Sequence, residues 1–198
     1  MKPHNRGIWL LAAALVVPLK AETICALGSD ASSYKRASDQ RPSSDALQLA
    51  NRVNAAVKTI CGVQCPTMAL FRNATASNAM LVIDSGQAKL VYSPHFFAAA
   101  YESFGESGIL AIMAHEIGHA LDDTMGAAWI KKSWTPELRA DAWAGCVLAK
   151  MDPALPSIQP SLGALAKYPS PSHPSWNMRL PAIRTGYTQC GGPAFQTR

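Results

Sequence analysis

The chain has 198 residues and a formal net charge of +5, a length that suits a single domain with a sizeable core. Three of those charges, Lys2, Arg6 and Lys20, lie within the first 21 residues, which contain no acid. The remainder carries about +2, too little to argue for nucleic-acid binding. A membrane-spanning helix needs a run of about 18 apolar residues, and the sequence has no such run, so no stable membrane span is predicted.

The first 21 residues have the pattern of a secretory signal peptide. A basic start precedes an apolar stretch over residues 8–17, and Ala21 ends a candidate cleavage site before Glu22. We therefore predict export, to a periplasm or to the outside of the cell. Retention as an N-terminal membrane anchor is the alternative, because Leu19 and Lys20 make the cleavage site imperfect.

Composition then divides the exported part in two. Residues 22–44 contain few apolar side chains and are predicted to be a flexible leader. Residues 45–198 are predicted to be the functional domain. Its Pro-rich part beyond Lys150 predicts short helices, since Pro interrupts the helical hydrogen-bond pattern.

Export places the five cysteines in an oxidising compartment, where an odd number leaves at least one unpaired within the chain. Cys61 and Cys65 are close enough in sequence to form a local disulfide. Of the other three, we favour a Cys25–Cys190 disulfide, with Cys146 as a buried free thiol. Sequence alone does not fix this connectivity.

The early part of the domain predicts one helix and three short strands. Apolar residues recur at helical spacing from Asp45 to Gly62. Residues 67–72, 80–83 and 89–92 read as strands, the last two forming a hairpin. Residues 89–92 are a candidate edge strand, although the pattern fits an internal strand equally well. A helix over residues 94–104 follows.

Residues 115–119 read His-Glu-Ile-Gly-His and lie in an apolar segment without Pro that predicts a buried helix. Residues four apart share one face of a helix, so His115 and His119 can reach a single metal ion. Glu116 lies beside that face and can meet a water molecule without binding the metal. The chemistry indicated is zinc hydrolysis, with one Zn²⁺ per chain.

A catalytic zinc site needs a third protein ligand, for which Glu137 and Asp122 compete. Thr135 and Pro136 are suited to the N-cap and first position of a second helix, which carries Glu137 and Asp141. We predict Glu137 as the third ligand and Asp141 as the acceptor that holds the far nitrogen of a zinc-bound His. Asp122 is predicted either to contact a ligand from behind or to act at the end of the helix, and the third-ligand role is its alternative.

The zinc helix and the Glu-x-x-x-Asp helix together resemble the gluzincin metallopeptidases, in particular the M48 family. Two other stretches resemble the same family. Asn78-Ala79 precedes a strand, and His173-Pro174 is followed by Arg179 at the spacing found in the family. The resemblance implies that His173 and Arg179 face the cleft and steady a tetrahedral intermediate. This chain departs from the family after His-Pro, where Trp176, Asn177 and Met178 replace the usual acidic residues.

The fold expected from this resemblance is α+β, a mainly helical gluzincin-type domain with a small sheet or hairpin beside the zinc helix. The expected partner is a protein or peptide substrate bound as an extended strand through backbone hydrogen bonds. The expected function is that of an exported zinc endopeptidase with Glu116 as general base and His173 and Arg179 as further catalytic residues. The alternatives are an exported zinc-binding interaction module without catalysis and a zinc hydrolase acting on cell-wall peptides.

Overall fold

The computed structural model describes residues 22–26, 33–84, 86–151, 154–168 and 172–195. Within these residues the chain mixes helices with one small sheet, which confirms the α+β class. The elements in chain order are β1 (Glu22–Ala26), α1 (Ser44–Cys61), β2 (Ala69–Arg72), β3 (Ala79–Asp84), β4 (Gln87–Tyr92), α2 (Pro94–Thr124), α3 (Pro136–Ala149), α4 (Gln159–Lys167) and α5 (Trp176–Gln189).

Helix α1 matches the predicted helix and has a capping residue at each end. The Ser43 side chain accepts a hydrogen bond from the Ala46 N–H at the start. Gly62 ends the helix with a φ of 65°, a conformation that costs glycine little. Its buried residues recur at helical spacing and face the core: Ala46, Leu49, Ala50, Val53, Ala56 and Val57.

Helix α2 is divided at Gly105, whose φ is 63°. The first part corresponds to the helix predicted over residues 94–104, and the second carries the His-Glu-Ile-Gly-His sequence. Every residue from 108 to 121 is buried, so the second part runs through the centre of the molecule. Its polar side chains therefore lie where water is largely excluded.

The sheet has the strand order β1-β3-β4-β2. Strands β3 and β4 form the predicted antiparallel hairpin, and β2 pairs with β4 in parallel. Strand β4 is therefore internal, and the prediction of residues 89–92 as an edge strand is wrong. The reason is tertiary: β2 pairs Leu70 with Leu90, and both side chains are buried against the helices.

Residues 34–39, which precede α1, lie on the face of the sheet that points away from the helices. Tyr34 packs there against a small apolar cluster that includes Val82 and Val91. Asp39 forms a buried ion pair with Lys89 on β4, and backbone hydrogen bonds join Gln40 to Arg72. Parts of the predicted flexible leader thus contact the domain. The predicted signal peptide, residues 1–21, lies outside the described residues.

Helices α3 and α5 pack against each other closely. A Cβ atom at Gly186 would overlap the carbonyl oxygen of Ala142, and one at Gly145 would overlap that of Ile183. Helix α5 continues through Pro181, so proline does not end this 14-residue helix as the composition predicted. The contact between α3 and α5 fixes the two helices that lie behind the candidate site.

The described residues contain two disulfides. Cys61 and Cys65 are joined at the end of α1, as predicted. Cys190 pairs with Cys146, so both the predicted Cys25–Cys190 disulfide and the predicted free thiol at Cys146 are wrong. The close packing of α3 on α5 brings their Cα atoms to 5.1 Å, a proximity that sequence spacing does not reveal.

The disulfides fit an oxidising compartment, in agreement with the coarser part of the export prediction. Among the helices that the structure describes, none combines the length and the apolar character needed to cross a membrane.

Candidate metal centre

His115, His119 and Glu137 come together in a buried group that could hold a metal ion. Their potential ligand atoms all lie within 4.8 Å of one another. Glu137 Oε2 lies 3.3 Å from His115 Nε2 and 3.7 Å from His119 Nε2. The three side chains predicted as metal ligands are thus brought together by two separate helices, α2 and α3.

Local sequence places Glu137 at the start of α3. Thr135 accepts a hydrogen bond from the Leu138 N–H, and Pro136 occupies the first turn. Helix α3 approaches α2 closely at Gly118, where an added Cβ would lie 2.5 Å from the Ala140 carbonyl oxygen. The glycine between the two histidines therefore permits the short distance that puts Glu137 beside both imidazoles.

Asp141 lies one turn beyond Glu137 and contacts the far side of His115. His115 Nδ1 donates to Asp141 Oδ1 over 2.9 Å. With one proton held on Nδ1, loss of the other proton from Nε2 would leave a lone pair that faces the group, which is the tautomer a metal ligand needs. The structure places Asp141 at the position expected for this supporting role.

Arg179 lies behind the group and contacts Asp141. Its Nε and Nη2 donate to the two oxygens of Asp141, each over 2.8 Å, and Nη1 donates to the Leu165 carbonyl over 2.9 Å. Only 1% of Arg179 is exposed. The arginine therefore fixes Asp141, and through it His115, in a paired geometry that satisfies a buried charge.

His173 lies at the group itself, with its side chain buried. Its Nε2 is 3.0 Å from Glu137 Oε2 and 3.2 Å from His115 Nε2. The structure thus brings His173 together with the predicted ligands, whereas Asp141 lies between Arg179 and those ligands. Both residues come from the segment that resembles the later family motif.

Glu116 is fully buried beside the group and contacts the sheet. Its Oε2 accepts a hydrogen bond from the Leu81 N–H on β3 over 2.8 Å. Its Oε1 has no hydrogen-bond partner among the described residues. Burial raises the pKa of Glu116 to about 8, so this carboxyl can hold or release a proton near neutral pH.

The Leu81 amide is a site contact that the residue pattern did not identify. A backbone N–H is not visible as a motif, because every non-proline residue has one. The only signal was the Asn78-Ala79 pair, which marks the beginning of the same strand. Asn78 is buried immediately before β3, so this pair lies close to the strand that contacts Glu116.

Asp122 lies outside the three-residue group. Its carboxylate pairs with Arg139 on α3, with 2.6 Å between Oδ2 and Nε. Arg139 also donates to the Trp134 carbonyl. Asp122 therefore joins the end of α2 to α3 through Arg139, which also contacts the segment before α3.

The charge states of the metal-free protein differ among the ligands. Burial lowers the pKa of His115, but its hydrogen bonds with Asp141 and Glu137 outweigh this effect and raise the pKa to about 9. Burial and the neighbouring His115 lower the pKa of His119 to about 3. Burial raises the pKa of Glu137, but hydrogen bonds from His115 and His173 leave it well below its usual range.

These properties fit a bound cation. His119 Nε2 is buried and has no hydrogen-bond partner among the described residues. A buried polar atom left without a partner is costly, and a metal ion would satisfy it. Two neutral imidazoles and one carboxylate are a donor set that zinc accepts. The residues present therefore fit a metal, although donor chemistry alone does not show which metal.

Comparison with protein-family models, with curated proteins and with solved structures finds no match to this chain.

Proposed function

We propose that this chain is an exported zinc-dependent endopeptidase, in which His115, His119 and Glu137 would hold one zinc ion. The observation that carries the proposal is the position of Glu116. A site that only binds a metal needs ligands, but it has no use for an additional buried carboxyl beside them. Glu116 lies there with one oxygen fixed by the Leu81 N–H and the other without a hydrogen-bond partner in the described part of the chain.

Each part of the site has a role in this reaction. When bound, the zinc ion supplies Lewis-acid chemistry, lowering the pKa of water and polarising a carbonyl. Glu116 Oε1 accepts the proton of the attacking water and returns it to the leaving amine. Burial raises the pKa of the Glu116 carboxyl to about 8 in the metal-free protein, which favours acceptance of a proton from water.

Asp141 and Arg179 act through His115. Asp141 accepts the Nδ1–H of His115, and Arg179 keeps Asp141 ionised and in place, lowering the pKa of this carboxyl despite its burial. The side chain of His173 is buried at the same group and would donate a hydrogen bond to a developing oxyanion. In this proposal Arg179 is a positioning residue, whereas Glu116 and His173 are catalytic.

The resemblance to gluzincins of the M48 type supports this proposal at the level of motifs. The helix that carries His115 and His119, the helix that carries Glu137 and the small sheet are compatible with this resemblance. Neither the chemistry of the group nor the fold selects between unfolded protein and cell-wall peptides as the substrate. Peptide-bond hydrolysis is therefore proposed as the reaction class.

The decisive experiment is Glu116→Gln, assayed for hydrolysis of an unfolded protein and for bound zinc. We expect proteolysis to fall by at least about 100-fold while zinc content is retained, because Gln keeps the shape but cannot take the proton. Asp123→Asn is the matched control, since Asp123 is an exposed carboxylate on the same helix. Unchanged proteolysis in the Glu116→Gln protein would show that the proposed base is wrong.

One observation favours the alternative of a non-catalytic zinc-binding module. His173 Nε2 lies 3.0 Å from Glu137 Oε2 and 3.2 Å from His115 Nε2, so His173 could serve as a fourth protein ligand and close the site to water. His173→Ala separates the two functions. An interaction module would lose zinc affinity, whereas the peptidase would retain zinc and lose turnover.

A further inference from the structure

Strand β1 lies at the edge of the sheet nearest to Glu116. It pairs antiparallel with β3, and Cys25 stands opposite Leu81 in the register. Leu81 is the residue whose N–H donates to Glu116. The pairing has an irregularity between Thr23 and Cys25, close to this hydrogen bond. The backbone of β1 therefore passes the residue proposed as the general base.

An extended peptide can bind a sheet only at an edge, where backbone groups are unpaired. In this sheet β3 is flanked by β4 on one side and by β1 on the other. The second outer strand, β2, is separated from β3 by β4. A peptide that adds to the sheet within reach of Glu116 therefore needs the side of β3 that β1 occupies.

The segment that follows β1 along the chain is anchored to the sheet. Asp39 pairs with the buried Lys89, and Asn73 Nδ2 donates both to Asp39 Oδ1 and to the Lys35 carbonyl. Gln40 and Arg72 exchange backbone hydrogen bonds at the far edge. Such a tether keeps β1 at a local concentration of about millimolar next to β3.

We propose that β1 is an internal occupant of the peptide-binding edge, and that an extended substrate reaches Glu116 only by displacing it. This inference rests on the proposed function. β1 can take the place of a substrate strand whatever its side chains are, because strand pairing uses main-chain hydrogen bonds and tolerates many side chains. The N-terminal segment therefore inhibits the same chain until β1 leaves β3.

Peptide binding tests the inference without any hydrolysis. All proteins carry Glu116→Gln, and the probe is a fluorescein-labelled synthetic peptide of residues 21–27 with Ser in place of Cys. In one variant Gly-Ser-Gly-Ser-Gly replaces Glu22–Ala26, which weakens the strand. In the matched control, Thr-Val-Thr-Val-Thr replaces the same residues and keeps the strand-forming tendency.

We expect the Gly/Ser variant to bind the peptide with a Kd at least about tenfold lower than the parent or the Thr/Val control, because the tethered competitor is lost. Zinc content and circular dichroism confirm that each variant is folded. Equal affinity in the three folded proteins, including equal absence of binding, would overturn the inference. In an active background, the same replacement should lower KM and leave kcat unchanged.

A second measurement tests the inference even if the Gly/Ser variant does not fold. Saturating peptide should increase hydrogen exchange at the backbone amides of β1 in the unaltered Glu116→Gln chain, since displacement frees them. Unchanged exchange with bound peptide would overturn the inference. Neither readout needs turnover, so absence of proteolysis contradicts the proposed function, whereas equal peptide affinity contradicts only the role of β1.

Discussion

At the scale of single residues, the candidate centre combines groups whose protonation states are set by different neighbours. His115 is held by Asp141, His119 has a buried Nε2 without a partner among the described residues, and Glu137 accepts from two imidazoles. These differences arise because the helices place each side chain against a different partner. They lead to two predictions about metal binding.

The first concerns the third ligand. Glu137→Ala should weaken zinc binding by more than about 100-fold, since loss of even an outer partner of a ligand costs 10–100-fold in affinity. Asp122→Asn is the matched control, because Asp122 pairs with Arg139 outside the group. Equilibrium dialysis or metal analysis of the purified proteins measures both. Retention of zinc by the Glu137→Ala protein would contradict the assignment of Glu137 as the third ligand.

The second concerns pH. In the metal-free protein the pKa of His115 is about 9, so this residue is protonated at neutral pH and zinc must displace the proton. Apparent zinc affinity should therefore rise about tenfold per pH unit up to pH 9 and then level off. Competition titrations with a chelator of known pH dependence measure the slope. Asp141→Asn removes a group that raises this pKa, so its plateau should begin at lower pH.

At the scale of elements, the distance between α2 and α3 determines whether the ligands can meet. Gly118 lies between the two histidines in sequence, and the Ala140 carbonyl approaches it from α3. A side chain at this position would separate the helices, since backbone atoms of a packed helix cannot move aside easily. Helix packing and metal binding are therefore coupled at one residue.

Gly118→Ala should destabilise the protein by about 1–3 kcal/mol through overpacking and should also weaken zinc binding. Gly126→Ala is the control, because no atom lies within 4 Å of an added Cβ there. Urea unfolding gives the free energies, and chelator competition gives the affinities. A Gly118→Ala protein with unchanged affinity for zinc would contradict the coupling.

The element scale also shows the limit of strand prediction. The pattern over residues 89–92 fitted an edge strand or an internal strand, and only the pairing of β2 with β4 decided between them. An apolar strand carries the same local signal in either position, because its partners are distant in sequence. The outer strand beside β3, the strand that contacts Glu116, is β1.

At the scale of the whole molecule, the two disulfides close loops of very different length. Cys61 and Cys65 are four residues apart, whereas Cys146 and Cys190 are 44 apart and join α3 to α5. Chain-entropy arguments assign greater stabilisation to the longer loop. The longer disulfide also joins the helices that carry Asp141 and Arg179, so it supports the paired residues behind His115.

Replacing Cys146 and Cys190 together by Ala should lower the free energy of unfolding by about 4 kcal/mol, against about 2 kcal/mol for the Cys61 and Cys65 pair. Thermal and urea unfolding of the zinc-loaded proteins measure the difference. Equal losses for the two pairs would contradict the loop-length argument for this chain.

The sequence by itself determined the elements from α1 to α3 and the set of candidate metal ligands. Helical spacing placed His115, Glu116 and His119 together, and the Thr135-Pro136 start placed Glu137 and Asp141 on a second helix, because these signals are local. The tertiary structure decided the partners across elements: Cys146 with Cys190, Arg179 with Asp141, β1 with β3 and Leu81 with Glu116. Such contacts depend on how the elements pack, and residues distant in sequence give no local sign of which partner they meet.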